Sequence, residues 1–374
     1  MIPIVDLKRQ YKQTGEEIEK AVVDVLRSGA YILGPNTKAL EQEFSQYLGT
    51  KHAIGLNSGT DALHLALRAL DIGKGDEVIT VAFTFVATTE SIEIVGATPV
   101  FVDIDPDTFN MDVTQIEDKI TPRTKAIMPV HLYGQPADMD VIMDIAKRHN
   151  LYVIEDCCQA VGAEYKGKKV GSFGDIGAYS FFPTKNLGGM GDGGMAVTNS
   201  DFLKDRMIAL RNHGGAVRYH HDEIGVNSRL DEIQSAILRV KMNYIDEWNK
   251  MRREVAHRYT ELFKDCEDVI TPKELDDTYC VYHQYTIKVP NRDAVQKMLQ
   301  ENGVGAMLYY PIPWHMQKVH AHLGYKMGDL PKTEYNTQHV MSLPMFAELT
   351  AEEQKEIATK VKDAIAKSKE TANS

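Results

Sequence analysis

Two residues stand where chemistry is expected: Lys185 in SFFPTKN and Asp156 in LYVIEDCCQA. Each follows a run that reads as a buried strand, and open α/β sheets build their sites at the carboxyl ends of strands. A carboxylate there is costly to bury unless something positive faces it. A lysine and an aspartate at neighbouring strand ends suit pyridoxal-5′-phosphate (PLP). The lysine forms a Schiff base with the aldehyde, and the aspartate keeps the pyridine nitrogen protonated so that the ring draws in electrons. The phosphate needs its own cradle. SGTDA, residues 58–62, follows the short run AIGLN and opens a helix, where small residues let backbone amides approach an anion at the positive end of the helix dipole. Each signal alone has an ordinary explanation, a solvated lysine or an N-cap; the three together carry the reading.

These residues need a scaffold that brings strand ends together. Apolar, β-branched runs at 77–81, 98–103, 125–130, 151–154, 177–181 and 194–198 alternate with amphipathic stretches at 60–70, 84–95, 138–150 and 200–211. Strands separated by helices predict a mostly parallel sheet covered on both faces. AIMPV and LYVIE are nearly continuous in apolar residues, as in strands buried on both sides. One long helical region is expected over 230–263. Beyond it the pattern changes to a strand at 279–289, a helix at 293–302, a strand at 304–310 and a helix at 350–368. The expected organisation is therefore a large α/β domain over 1–240, with an N-terminal helix, and a smaller α+β domain over 241–374. The polar tail KSKETANS is expected to fray.

Composition agrees with an ordinary globular chain: 374 residues, 43% hydrophobic and 25% charged. The net charge of −11, from 42 basic and 53 acidic side chains, argues against a nucleic-acid partner, which requires clustered Lys and Arg. It leaves room for a small phosphorylated ligand held by local amides. Cys157, Cys158, Cys266 and Cys280 form neither a disulfide framework nor a C-x-x-C metal site. Cys157 and Cys158 read as two small buried thiols behind a strand. No apolar leader and no membrane span is apparent, so a cytoplasmic protein is expected.

The same residues resemble the DegT/StrS-type, PLP-dependent sugar-nucleotide aminotransferases of fold type I. The likeness runs through SGAYILGPNTKALEQEFSQYLG, NSGTDAL, GKGDEVIT, FTFVAT, VHLYGQPADMD, IEDCCQAVGA, SFFPTKNLGGMGDGGM, GVNSRLDEIQSA and YYPIP. It implies a large domain with a seven-stranded, mostly parallel sheet. It implies that Lys185 holds the cofactor and moves the proton, that Asp156 pairs with the pyridine nitrogen, and that Gln159 reaches the 3-oxygen. Phe85 is expected to stack on the ring, and Gly59, Thr60 and Ser180 to bind the phosphate. Asn227 resembles a residue that reaches the phosphate from the neighbouring subunit, which would make the enzyme a homodimer with shared sites.

Tyr31, Arg229, Tyr309, Tyr310 and His315 lie in segments resembling the sugar-nucleotide pocket. Arg229 could bind a carboxylate through two parallel hydrogen bonds or form a structural ion pair with Asp231 or Glu232. The implied reaction is ping-pong: L-glutamate converts PLP to PMP, and a keto-sugar nucleotide accepts the amino group, for a surface polysaccharide or a glycosylated metabolite. RYHHDEIGVNSRLDE most resembles enzymes acting at C3 of UDP-linked 3-keto-hexuronates. YYPIPWHMQ departs from those relatives, which often carry His before Tyr-Pro where Tyr309 stands here. A dTDP-linked sugar, C4 amination and a non-sugar ketone remain alternatives. So does a non-catalytic regulator or binding protein, while a sugar dehydratase of the same fold would carry histidine in place of Lys185.

Two further signals lose to simpler readings. GGMGDGG contains a formal G-x-G-x-x-G at Gly189, Gly191 and Gly194, but a dinucleotide fingerprint needs a helix after it, and the strand-like GMAVT follows instead. His220 and His221, adjacent in sequence, would point apart rather than share a metal; no metal is expected.

Overall fold

The computed structural model describes residues 1–215, 217 and 219–372. Arg218 of the RYHHDEIGVNSRLDE segment and the tail residues Asn373 and Ser374 lie outside them.

Two helices precede the sheet, α1 (Leu7–Ser28) and α2 (Pro35–Leu48). Asp6 caps α1 by accepting from the Lys8 and Arg9 amides, and Pro35 starts α2, where its missing N–H has no partner to lose. The sheet strands then alternate with helices. They are β1 (His52–Leu56), α3 (Gly59–Ala69), β2 (Glu77–Val81), α4 (Val86–Ile94), β3 (Thr98–Val102), β4 (Thr124–Ile127), α5 (Met139–His149), β5 (Tyr152–Asp156), β6 (Ile176–Ser180), β7 (Gly194–Thr198) and α6 (Asp201–Arg211). The strand order is β1-β7-β6-β5-β4-β2-β3. Pairs from β3 to β6 are parallel, and β7 runs antiparallel to both β6 and β1. This is the mostly parallel seven-stranded sheet expected from the sequence.

Alternation along the strands explains the unbroken apolar runs. Val78, Ala126, Ile154, Ala178 and Ala196 face a core shared with α3 and α6. Their neighbours Ile79, Ile127 and Val153 face α5, and Tyr179, Met195 and Val197 face α2. Both faces are dry, so both sets must be apolar.

The region expected as one helix over 230–263 is two, α7 (Glu232–Met242) and α8 (Ile245–Phe263). After them come β8 (Tyr285–Lys288), α9 (Arg292–Glu301), α10 (Pro331–His339), β9 (Val340–Leu343) and α11 (Ala351–Ala372). A separate core gathers Tyr259, Tyr285, Ile287, Leu299, Met341, Leu343, Val361 and Ile365, with Ile2 joining it. The expected strand over 279–289 is broken between Tyr279 and Tyr285, with Tyr282 at φ 41°. The segment expected as a strand over 304–310 makes only isolated bridges, at Val304 and Met307, and β9 pairs with β8 instead. Of the tail KSKETANS, the described residues continue α11 to Ala372, with Ser368 buried and a Lys369–Asp268 ion pair at 2.5 Å. Among the described residues no helix is long and apolar enough to cross a membrane.

Candidate active site

The carboxyl ends of β5 and β6 and the amino end of α3 meet at one cavity of about 420 Å³. Asp156 ends β5 and is 5% exposed. Its Oδ2 accepts from Thr88 Oγ1 at 2.8 Å and its Oδ1 from the Cys158 amide at 3.1 Å. Thr88 is held in turn by Thr84, 2.8 Å away. Thr84 lies just before Phe85, the N-cap of α4, and Thr88 in its first turn, so the two hydroxyls meet at the helix start. Lys185 follows β6 in a turn closed by its own amide to the Phe182 carbonyl at 2.9 Å. Burial pushes its ammonium below the usual lysine range, partly offset by Cys158 and Asp156. Neutral lysine is the form that attacks a carbonyl.

Ser58 caps α3 by accepting from the Asp61 amide at 3.0 Å, leaving the first amides of the helix open to the cavity. The approach is close: a Cβ on Gly59 would lie 2.7 Å from Ser180 Cβ and 2.8 Å from Cys158 Sγ. One on Gly194 would lie 2.2 Å from the Ser58 carbonyl. Glycine at both places lets the helix end sit directly on the strand ends. Phe85, 52% exposed, stands over the mouth with its ring 6.1 Å from that of Tyr310. Gln159 accepts from the Tyr133 amide at 2.8 Å and donates to the Tyr310 hydroxyl at 3.1 Å.

Gly59, Thr60, Phe85, Asp156, Gln159, Ser180, Lys185, Tyr309 and Tyr310 all line this cavity. Asn227, Tyr31, Arg229 and His315 do not. The Asn227 side chain is exposed, and its carbonyl accepts from Asn57 at 3.3 Å. Tyr31 is 47% exposed and bonds the Leu26 carbonyl at 3.2 Å. Arg229 borders a separate open hollow with His213 and His221. The ion pair with Asp231 or Glu232 does not form: Glu232 accepts from Asn36 and Thr37, and Arg229 Nε is buried without a partner among the described residues. His315 is 2% exposed. Trp314 docks its amide and indole N–H on Ala82 and Thr84, at 2.9 and 2.6 Å, which turns His315 inward to Glu334 at 3.0 Å.

The sequence reading also missed residues. His283 and Gln284 enter the cavity from the break between Tyr279 and β8, and Asp192 from the glycine loop. Cys157 is a buried free thiol as expected, but Cys158 faces the cavity rather than lying behind the strand. The Thr84–Thr88 pair had a readable signal, two hydroxyls at i and i+4 beside the aromatic of FTFVATTE. The break at His283 had none. His131, Glu155 and Cys157 bring three possible metal-ligand atoms together. Their geometry is structural: His131 Nδ1 accepts from the Ala137 amide, so Nε2–H is left to donate to Glu155 at 3.1 Å.

These features fit PLP: a lysine disfavoured as a cation, a buried carboxylate open on one side, and helix-end amides brought close by a residue without Cβ. Similar proteins agree. A "Pleiotropic regulatory protein" of Geobacillus stearothermophilus is 52% identical over 362 residues, covering 96% of this chain and 97% of its own. A UDP-N-acetyl-3-dehydro-alpha-D-glucosamine 3-aminotransferase of Acidithiobacillus ferrooxidans is 49% identical over 361 residues, covering 96% and 97%. The crystal structure of S. venezuelae DesV in complex with a ketimine intermediate superposes with a TM-score of 0.94 at 40% identity, covering 97% and 98%. Other solved neighbours hold the cofactor as PMP. PLP is accordingly the cofactor here. With the family profile matching residues 12–362, the chain belongs to the DegT/DnrJ/EryC1/StrS aminotransferase family.

Proposed function

We propose that this enzyme moves the amino group of L-glutamate to C3 of a UDP- or dTDP-linked 3-keto sugar. The observation that carries the reading is the joint opening of Lys185 and Asp156 onto one cavity beneath the amino end of α3. When bound, the cofactor supplies an electron sink for the carbanion formed at the donor Cα. The protein supplies the rest. Lys185 Nζ holds the cofactor and then takes the proton from the donor Cα, a task suited to an amine kept toward neutrality. Asp156, held by Thr88 and the Cys158 amide, faces the ring nitrogen, and Gln159 faces the 3-oxygen. Gly59, Thr60 and Ser180 bind the phosphate, and Phe85 covers the ring.

The half-reactions share one cavity, so 2-oxoglutarate leaves before the keto sugar enters. Asn227, exposed and away from its own cavity, suits a residue given to the site of a second copy in a homodimer. Arg229, with a free buried Nε, suits an acceptor group in the same assembly. The 49% identity to a UDP-sugar 3-aminotransferase supports C3 over C4. Free cysteines and a donor from central metabolism suit a cytoplasmic enzyme. The two-domain division at residue 240 belongs to the same reading.

The test is amination, followed by mass spectrometry, of UDP-linked 3-keto-2-acetamido sugars (neutral and uronic) and of dTDP-linked 3-keto and 4-keto 6-deoxy sugars. L-glutamate is the donor and Lys185→Ala the control. Amination of one sugar by the wild type alone supports the reading and fixes the sugar. A second reading, a regulator that binds PLP without turnover, is favoured by the 52% relative named for regulation. It predicts the cofactor's visible absorbance with no response to glutamate.

A further inference from the structure

Lys185 Nζ and the His283 imidazole open onto the same cavity, and neither makes a hydrogen bond or ion pair among the described residues. His283 is 5% exposed, and its Nδ1 is buried without a partner. A buried polar atom left unpaired costs about 1–3 kcal/mol, and the local backbone is built to hold it there. Tyr282, directly before it, adopts φ 41°, a left-handed conformation that is unfavourable for a bulky L residue. Three contacts hold the strained turn. The His283 amide donates to the Tyr133 carbonyl at 2.8 Å, and the buried Arg252 donates to the carbonyls of Tyr282 and His283 at 3.2 and 3.4 Å. Tyr133 is also the residue whose amide fixes Gln159. The turn thus breaks the strand that the sequence predicts and places an imidazole in the same cavity as the lysine.

Resting on the reading of Lys185 as the cofactor-holding residue, we propose that His283 is its positioning partner: the imidazole accepts a hydrogen bond from Lys185 Nζ whenever the lysine is released from the cofactor. A buried ammonium needs an acceptor. Asp156 is already engaged by Thr88 and the Cys158 amide and faces the ring nitrogen in this reading, so it is not free for that task. The charged or titratable groups around His283 are Lys185, Arg252, Asp156, Cys158, Tyr309 and Tyr310. Burial, reinforced by the cations Lys185 and Arg252, holds the imidazole well below its usual pKa. It is therefore an acceptor, not a competing cation.

The sign of the effect follows. An acceptor for the ammonium favours the charged form of Lys185, so removing it lowers the pH at which the lysine becomes reactive. The test uses full-length protein loaded with PMP, in which Lys185 is released while Asp156 still faces the ring, with Lys185 acetylation by limiting acetic anhydride measured by peptide mass spectrometry across pH. His283→Leu is expected to move the midpoint down by about one pH unit, giving about tenfold faster labelling at neutral pH. His283→Gln, which keeps an acceptor, is expected to stay near wild type. An unmoved midpoint in His283→Leu, or an equal drop in His283→Gln, overturns the proposal. If His283→Leu does not fold, His283→Ala replaces it. Added imidazole should then restore the wild-type midpoint, and failure to do so overturns the proposal equally. Labelling needs no turnover, so failure here is distinct from failure of the wild type to aminate a sugar.

Discussion

Glu155 and Asp156 are neighbours on β5, and because successive strand residues point to opposite faces, they enter two different environments. Glu155 is fully buried. It accepts from the Gly171, Phe173 and Gly174 amides at 2.6, 2.8 and 2.7 Å and from His131 at 3.1 Å. Three of these donors staple the 171–174 loop to the strand, the fourth ties in His131, and nothing is left over. Asp156 accepts from two donors and turns its remaining capacity to the cavity. Equal chemistry and nearly equal depth thus give a structural clamp on one face and a carboxylate open to the cavity on the other. Burial does not separate the two residues; how completely each carboxylate is satisfied does.

The largest expected effect lies on the cavity side. Lys185→Ala should lower the rate of amino transfer by more than about 10³-fold while leaving the denaturation midpoint near wild type; retained turnover would remove the lysine from the chemistry. Asp156→Asn should cost about 10²–10³-fold in kcat, with stability changed by less than about 1 kcal/mol in urea titration, since the amide oxygen can still accept from the Cys158 N–H while the NH₂ donates to the Thr88 hydroxyl, which can turn to accept. Glu155→Gln should show the reverse: about 3 kcal/mol of stability lost, because an NH₂ group would face backbone donors, and kcat within a few-fold of wild type. If both variants lose activity and stability alike, the two faces are not separable. Thr88→Val sharpens the comparison least. Removing one charge-assisted hydrogen bond to Asp156 should lower kcat about tenfold, equivalent to about 1.4 kcal/mol, with no change in the KM for glutamate.

Much of this was legible in the sequence. Strand β2 at Glu77–Val81 and β7 at Gly194–Thr198 appear at the expected residues, because a strand buried on both faces must be apolar throughout. Lys185, Asp156 and Gly59 were readable because chemistry at strand ends requires those residue types there, and the family motifs extended the expectation to Gln159, Phe85, Thr60 and Ser180. The second half was less readable. The run over 279–289 has strand composition, yet Arg252, distant in sequence, binds the carbonyls of Tyr282 and His283 and bends it. The run over 304–310 lost its place beside β8 to Val340–Leu343. The bond of His315 to Glu334, set by the docking of Trp314 on Ala82 and Thr84, had no local signal either.

The sequence by itself therefore determined the sheet and the cofactor class, and it set a lysine after a strand end, since each depends on local pattern: apolar periodicity, capping and residue type. The tertiary structure alone decided which carboxylate of β5 opens to the cavity, where the backbone turns left-handed to place His283, and which side chains line the cavity. Those outcomes depend on hydrogen bonds between residues far apart along the chain, whose partners no local pattern specifies.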